Sequence, residues 1–208
     1  MLRRRFSSQQ PVVSSAPSFS TDTHWPEGVL TIFRICSELD APHESRYYGA
    51  YDKLLNYCFG NSFKYFVSPQ RAPAKSQDAA ADFFIHLVVF NQHGRPVLIA
   101  EIKDDSWAQY YASRRFSADE QMRRRYDTVL PTCVLPRLWG LSLLGTSLRV
   151  YCGDAVTRVL TPEYEPHPDP HRVLSPGFLE GEWDLDILSQ GGFDKMKEII
   201  ADITSQDV

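Results

Sequence analysis

Three ionisable residues stand at the ends of two apolar runs that are close together in the sequence. Asp82 precedes the first run, residues 83–90, and Glu101 and Lys103 stand at the end of the second, residues 96–102. Both runs are rich in β-branched and aromatic residues, and a short stretch containing Asn and Gly separates them. This pattern predicts a β-hairpin that carries charged residues at one end.

The length of the hairpin loop decides on which face of the sheet Asp82 lies. With Gln92 and His93 as a two-residue loop, Asp82 lies opposite Lys103. Glu101 then shares their face, because side chains alternate along a strand. A loop with an odd number of residues would place Asp82 on the opposite face. We therefore expect two carboxylates and one ammonium group to converge.

Two carboxylates beside a lysine suit divalent-metal chemistry. Mg²⁺ prefers oxygen ligands and commonly takes one or two protein carboxylates together with waters and substrate phosphate. The metal stabilises charge that develops on a phosphate, and a lysine can orient or help to deprotonate an attacking water. Since two carboxylates without their metal repel each other, Asp82→Asn or Glu101→Gln is expected to keep or slightly raise thermal stability.

The alternative without a catalytic role for Glu101 and Lys103 is a solvated ion pair, which contributes little to stability. The apolar strands that lead to these residues indicate burial and argue against that alternative.

The order of Asp82 and then Glu101-Ile102-Lys103 resembles the motif of the PD-(D/E)XK nuclease superfamily, which has the restriction-endonuclease-like fold. The proline that usually precedes the aspartate is absent, since residue 81 is alanine. The resemblance implies an α/β fold with a central mixed β-sheet flanked by helices. It also implies a metal-dependent nuclease (a hydrolase) that uses Mg²⁺, or Mn²⁺ in its place, to cleave DNA or RNA. Asp82 and Glu101 would hold the metal, and Lys103 would serve the nucleophilic water.

A helix predicted after the hairpin extends the resemblance. Ser117 and Glu120 have the spacing of a capping box, so the helix is expected to begin at Ser117 and to end before Pro131. Gln121 borders its apolar stripe, from which it could reach over the sheet. Many exonuclease-like members of the superfamily carry a glutamine on this helix, often with an aromatic residue one turn later, and Gln121 and Tyr126 are similar to that pair.

Basic residues cluster around this helix. Phosphate contact is one interpretation, and a solvated helix face paired with neighbouring acidic residues is the other. The cluster consists of Arg114, Arg115, Arg123, Arg124 and Arg125. The candidate substrate contacts among them are Arg114, Arg115, Arg124 and Arg125. Elsewhere, Glu44 is expected to be an exposed residue favoured by the dipole of the second helix, although some branches of the superfamily draw an acidic site residue from their first helix.

Taken along the chain, the sequence predicts helices, then three strands, then a helix, then further strands. The predicted helices span 26–39, 43–60 and 193–203, and the predicted strands outside the hairpin span 63–67, 138–145, 147–152 and 155–160, with a loop at 68–81. Residues 25–208 are expected to form a single domain, and residues 1–24, which are rich in Arg and Ser, a disordered tail. A mitochondrial transit peptide is the alternative for that tail.

Composition limits the partners. The net charge of −4 argues against a strongly basic surface, and no apolar run approaches the roughly 20 residues that span a bilayer. Residues 161–186 hold seven acidic residues and five prolines, which predicts a loop segment that could bind a protein partner. The four cysteines form no close pairs, which suits an intracellular, reducing compartment, either nuclear or cytoplasmic.

Three interpretations of function stay open on the sequence alone. The preferred one is an Mg²⁺-dependent phosphodiesterase acting on DNA or RNA. The second is a catalytically inactive module of the same fold that binds protein or nucleic acid, which the acidic 161–186 segment favours. The third is a structural α/β domain whose charged strand ends are incidental. The sequence leaves the oligomeric state open.

Overall fold

The strand Pro96–Lys103 is buried at all eight positions because it lies in the interior of the β-sheet. The computed structural model that places it describes residues 18–39, 44–60, 62–71, 85–109 and 111–207. Asp82 lies outside the described residues, and so do residues 1–17 of the predicted tail.

Helices flank one mixed sheet, which confirms the predicted α/β class with a central mixed sheet. The described helices are α1 (Glu27–Glu38), α2 (Ser45–Phe59), the short α3 (Ser106–Gln109), α4 (Ala112–Val129) and α5 (Gln190–Gln206). The described strands are β1 (Tyr65–Arg71), β2 (Ile85–Asn91), β3 (Pro96–Lys103), β4 (Arg137–Leu144), β5 (Ser147–Asp154), β6 (Leu160–Thr161) and β7 (Leu185–Asp186).

The strand order is β1-β2-β3-β4-β5-β6, with β7 also paired to β5. The pair β3–β4 is parallel and the other described pairs are antiparallel. A parallel pair needs a crossover connection, and α4 lies in the connection between β3 and β4. This position brings α4 across one face of the sheet, while α1, α2 and α5 contribute to the main apolar core on the other face.

Two glycines let α4 lie close to the sheet. A Cβ atom built on Gly140 of β4 would lie 2.6 Å from the Tyr126 hydroxyl, and one built on Gly153 of β5 would lie 2.7 Å from the Tyr126 ring. The Tyr126 hydroxyl donates a hydrogen bond of 2.9 Å to the carbonyl of Leu138. The aromatic ring therefore fixes the height of the helix over β4 and β5.

The β2–β3 hairpin has a three-residue loop, residues 92–94, so the expected two-residue loop was wrong. The backbone N–H of Asn91 donates to the Arg95 carbonyl at 2.9 Å, and Gly94 adopts φ +68° as the loop closes. A bulge between Val89 and Phe90 then shifts the register by one more residue. The two single-residue offsets restore the expected facing of β2 relative to β3, because side chains alternate with a period of two.

Tertiary packing also changes the bounds of α4. The helix begins at Ala112, and no side chain caps it at Tyr111, so the prediction that Ser117 is the N-cap was wrong. The residues before Ser117 remain helical because Ala112 and Arg115 are buried against the rest of the fold.

The lengths of two strands differ from the predictions. β1 continues to Arg71 through the expected loop, and it accommodates Pro69 because it lies at the sheet edge. β6 is reduced to two residues, because Asp154 Oδ1 accepts hydrogen bonds from the N–H groups of Val156 and Thr157 in a turn.

Two segments outside the predicted helices and strands pack against the rest of the fold. Phe19 is buried and stacks on Trp25 with ring centroids 5.8 Å apart, so residues 18–24 belong to the fold rather than to the predicted tail. In the acidic 161–186 segment, the side chains of Phe178 and Trp183 join a small apolar cluster with Leu144.

Within the described residues, no helix is long and apolar enough to cross a bilayer.

Candidate active site

A row of four buried polar residues crosses the sheet on the face that α4 covers. His86 of β2 pairs with Glu101 of β3, Glu101 with Ser142 of β4, and Ser142 with Arg149 of β5. Buried polar groups need partners to offset their lost hydration. Part of that need is met from the acidic segment, where the Trp183 indole N–H donates to the Ser142 hydroxyl at 3.2 Å.

The carboxylate of Glu101 faces two cations. Its Oε1 lies 3.3 Å from Lys103 Nζ, and its Oε2 accepts a hydrogen bond of 2.9 Å from Arg125 Nε. The side chains of Glu101 and Lys103 are 0% and 1% exposed, so the expectation of buried charges at the end of β3 is confirmed and the solvated-pair alternative is excluded. Arg125, predicted as a substrate contact, binds the candidate catalytic carboxylate through Nε.

Glu44 brings a second carboxylate to Lys103. Its Oε1 lies 3.6 Å from Lys103 Nζ and accepts a hydrogen bond from the Tyr48 hydroxyl at 3.2 Å. The expectation that Glu44 is an exposed residue was wrong, because the end of β3 lies close to the start of α2 and Glu44 is largely buried. The acidic residue from the first helices therefore belongs to this cluster.

Gln121 lies on the buried side of α4, one turn before Arg125. Its Nε2 donates to the Ser117 hydroxyl at 3.3 Å. Its Oε1 is buried, and no described residue donates a hydrogen bond to it. Gln121 is thus turned away from solvent, and its amide oxygen is left as an unused buried acceptor. The expectation that this amide points over the sheet toward Glu101 or Lys103 stays a prediction.

His86 is a polar residue of this site that the sequence analysis did not select. Burial, followed by the nearby charges of Arg125 and Lys103, lowers the pKa of His86 to about 4, while Glu101 acts in the opposite direction. The imidazole is therefore neutral at pH 7. Its Nδ1 is buried and has no hydrogen-bond partner among the described residues.

The other candidate substrate arginines are used in different ways. Arg115 is buried and donates to the carbonyls of Pro176 and Phe178, at 2.5 Å to the former. Arg114 donates to Ser106 at 3.1 Å. Arg124 is half exposed and lies 4.0 Å from its neighbour Glu120, at the limit of an ion pair.

Asp119 forms a second buried network, which the sequence analysis missed. Its carboxylate accepts hydrogen bonds from Arg123 at 2.7 Å, Arg149 at 2.9 Å and the Tyr151 hydroxyl at 2.7 Å. Arg149 also pairs with Glu182 of the acidic segment at 3.0 Å. The signal available in the sequence was Arg149 inside an apolar strand, where an arginine needs a buried acceptor.

The described residues supply only part of a site for a metal ion. Among them, no group of three or more His, Cys, Asp or Glu side chains could hold a metal. The chemistry of the donors nevertheless suits an oxygen-ligated ion, because Glu101 Oε1 and Gln121 Oε1 are buried acceptors that receive no hydrogen bond from described residues. Glu101 is thus one suitable ligand for Mg²⁺ or Mn²⁺, and the predicted second ligand, Asp82, lies outside the described residues.

No family model, no curated protein and no solved structure matches the chain.

Proposed function

We propose that the protein is a metal-dependent phosphodiesterase that cleaves DNA or RNA, with Mg²⁺ as its cofactor and Mn²⁺ as a substitute. The observation that carries the proposal is the cluster at the end of β3, where Glu101 and Lys103 lie together almost without solvent exposure. Burial of several charges costs free energy that apolar residues of similar size would not require. Charged groups with such costs are common at catalytic sites, because the chemistry needs them.

The topology supports the same proposal. Strands β1, β2 and β3 form an antiparallel meander, and α4 follows before β4 pairs in parallel with β3. This order of elements is the one that the resemblance to the PD-(D/E)XK superfamily requires. It brings the end of β3 and the residue Gln121 of α4 to the same face of the sheet.

Each residue has a distinct role in the proposed reaction. Glu101, with Asp82, would hold the metal, which would supply neutralisation of charge on the phosphate and activation of water. Lys103 orients the attacking water and offsets negative charge as it develops on the phosphate. Gln121 would support the site through its buried amide oxygen. Arg125 balances the carboxylate of Glu101 before substrate arrives.

A second candidate function rests on that last contact. Because Arg125 and Lys103 both face Glu101, the carboxylate is already neutralised by protein cations. An inactive module of the same fold, which binds nucleic acid or protein without a metal, would have the same arrangement. Metal binding therefore separates the two functions.

The test combines metal binding with a cleavage assay. Wild-type protein is incubated with labelled single- and double-stranded DNA and RNA in Mg²⁺, Mn²⁺ or EDTA, and its melting temperature is recorded in each buffer. We expect cleavage that requires the metal and that is lost in Asp82→Asn, Glu101→Gln and Lys103→Met. Lys103→Met should keep the rise in melting temperature that the metal causes, because it retains the carboxylates.

The matched control is Glu120→Gln, which neutralises an exposed glutamate on α4 and should cleave like the wild type. Cleavage that survives Glu101→Gln would locate the activity elsewhere. A wild-type protein that neither binds Mg²⁺ nor cleaves any substrate would favour the inactive module.

A further inference from the structure

A groove of about 190 Å³ lies beside the candidate active site, at the edge of the sheet. We call it the edge groove. The residues that matter for its chemistry are Gln70, His86, Phe90, Pro96, Arg125 and Thr128. It is smaller than the roughly 300–1,000 Å³ of pockets that enclose drug-sized molecules, so it suits a single planar ring system rather than a base pair.

Arg125 connects the edge groove to the candidate active site. Its Nε is occupied by Glu101, and no other hydrogen bond of its side chain is found among the described residues. A guanidinium has five N–H donors, so the remaining donors can serve an anion. A phosphate bound there would lie close to the carboxylate that is proposed to hold the metal.

His86 gives the edge groove a second polar group. The residue is 4% exposed, and its Nδ1 has no hydrogen-bond partner within the described part of the chain. An unpartnered polar atom in the lining of a groove is costly unless a ligand or a water completes it. A neutral imidazole at this position can exchange a hydrogen bond with a base or a ribose hydroxyl.

The apolar lining continues outward as an aromatic surface. Phe90 lines the edge groove and stacks on Phe66 with ring centroids 5.5 Å apart and planes inclined by 21°. Phe66 lies on the edge strand β1 and is 48% exposed. A half-exposed phenylalanine beside a groove is a surface on which a further ring can stack.

We propose that the edge groove seats one unpaired nucleotide of a single-stranded nucleic acid. Its base lies against Phe90, its phosphate binds Arg125, and the next base stacks on Phe66. This inference deepens the proposed function and rests on it for the class of substrate. Stacking recognises every base, since each has a π-face, so the groove contributes affinity without sequence specificity.

The charges favour a single strand over a duplex. Duplex binding depends on many contacts between phosphates and basic side chains, but Arg115 and Arg123 are engaged inside the fold. The net charge of −4 adds no general attraction for a duplex. Stacking supplements the few available cations in single-strand binding.

The experiment measures binding apart from cleavage. Fluorescence anisotropy is recorded with short fluorescein-labelled oligothymidylate and oligouridylate strands, alone and annealed to their complements, in EDTA. We expect the single strands to bind at least tenfold more tightly than the duplexes. Base–aromatic stacking of about 1–3 kcal/mol corresponds to a loss of about 5- to 150-fold in affinity for Phe66→Ala, and His86→Gln should also weaken binding.

The matched control is Tyr164→Ala, which removes a ring of similar exposure (45%) from the acidic segment and should change affinity by less than twofold. Single-strand affinity that is unchanged in Phe66→Ala and His86→Gln would overturn the inference, as would equal or tighter duplex binding or no binding at all. Groove-dependent binding by a protein that cleaves nothing would support the inference while the proposed catalytic function fails.

Discussion

Arg125 and Glu101 form a buried, charge-assisted hydrogen bond of 2.9 Å between α4 and β3. Together with Lys103, Arg125 stabilises a carboxylate that has no solvent exposure. The sequence predicts that Asp82 repels Glu101 when no metal is bound, whereas the structure places Arg125 as well as Lys103 beside the Glu101 carboxylate. The expected effect of neutralising it on stability is therefore reversed.

Glu101→Gln should destabilise the protein. The substitution takes from Arg125 and Lys103 the carboxylate that they share, although Glu44 stays beside Lys103, and breaking a buried ion pair costs about 3–5 kcal/mol. Urea denaturation compares this variant with Glu120→Gln, which removes an exposed glutamate and should change the free energy of unfolding by at most about 1 kcal/mol. A Glu101→Gln protein as stable as the wild type would contradict the central position given to this ion pair.

Acidification should destabilise the protein through His86. Its pKa in the folded state, about 4, lies below the ordinary value of 6.5, because of burial and the charges of Arg125 and Lys103. Between these two values the unfolded chain binds the proton more tightly, so the free energy of unfolding falls as the pH is lowered. The loss from this one residue between pH 7 and pH 5 is on the order of 2 kcal/mol.

The measurement for His86 is urea denaturation at both pH values for the wild type and His86→Gln. Glutamine does not titrate, so the variant should lose less stability on acidification than the wild type. Contributions to the pH dependence that do not involve His86 are common to both proteins, so the difference between the two losses reports on this residue. Equal losses in the two proteins would rule out a buried, neutral His86 as the cause.

Gly140→Ala should be destabilising by about 1–3 kcal/mol, as overpacked cores are. The new methyl group would meet Tyr126 and push α4 away from the sheet, which should also reduce any metal-dependent activity. Gly49→Ala is the matched control, since nothing lies within 4 Å of the added methyl group in α2. That change should stabilise the protein by roughly 0.5–1 kcal/mol. Thermal melting of both variants measures the difference.

Arg115→Ala should lower stability rather than substrate affinity alone. The guanidinium of Arg115 holds the carbonyls of Pro176 and Phe178, and hydrogen bonds to charged groups are worth about 1.5–3 kcal/mol. Arg124→Ala removes an exposed arginine from the same helix and should stay within about 0.5 kcal/mol of the wild type. Thermal melting of the two variants separates the roles. An Arg115→Ala protein that melts with the wild type would restore Arg115 as a candidate substrate contact.

Local sequence signals were sufficient for the hairpin and for the burial of its charged end. Glu101 follows the uninterrupted apolar run 96–100, and the burial of β3 follows from that run. The contact between Arg125 and Glu101 was not predictable, because it depends on the rotation of a helix 24 residues further along the chain. The pairing of His86 with Glu101 depends on a three-residue loop and a bulge, which the turn residues alone do not specify.

The capping-box prediction at Ser117 shows how a local signal is overridden. The spacing of Ser117 and Glu120 is favourable for a helix start, but burial of Ala112 and Arg115 extends the helix towards α3. The same tertiary requirement gives Asp119 to Arg149 and Tyr151 instead of to the helix terminus. Propensity determined that a helix forms there, and packing determined where it begins.

The apolar core under the far face of the sheet joins α1 and α2 to α5, the last described helix. Trp25 makes this connection directly, since its indole N–H donates to the Ile187 carbonyl at 2.8 Å and its ring packs against Phe193 of α5. During synthesis, α1 and α2 therefore leave the ribosome before the strands of the sheet, and α5 leaves it after them. Until α5 leaves the exit tunnel, the nascent chain must keep apolar strand surface exposed, which is the kind of surface that chaperones protect during synthesis.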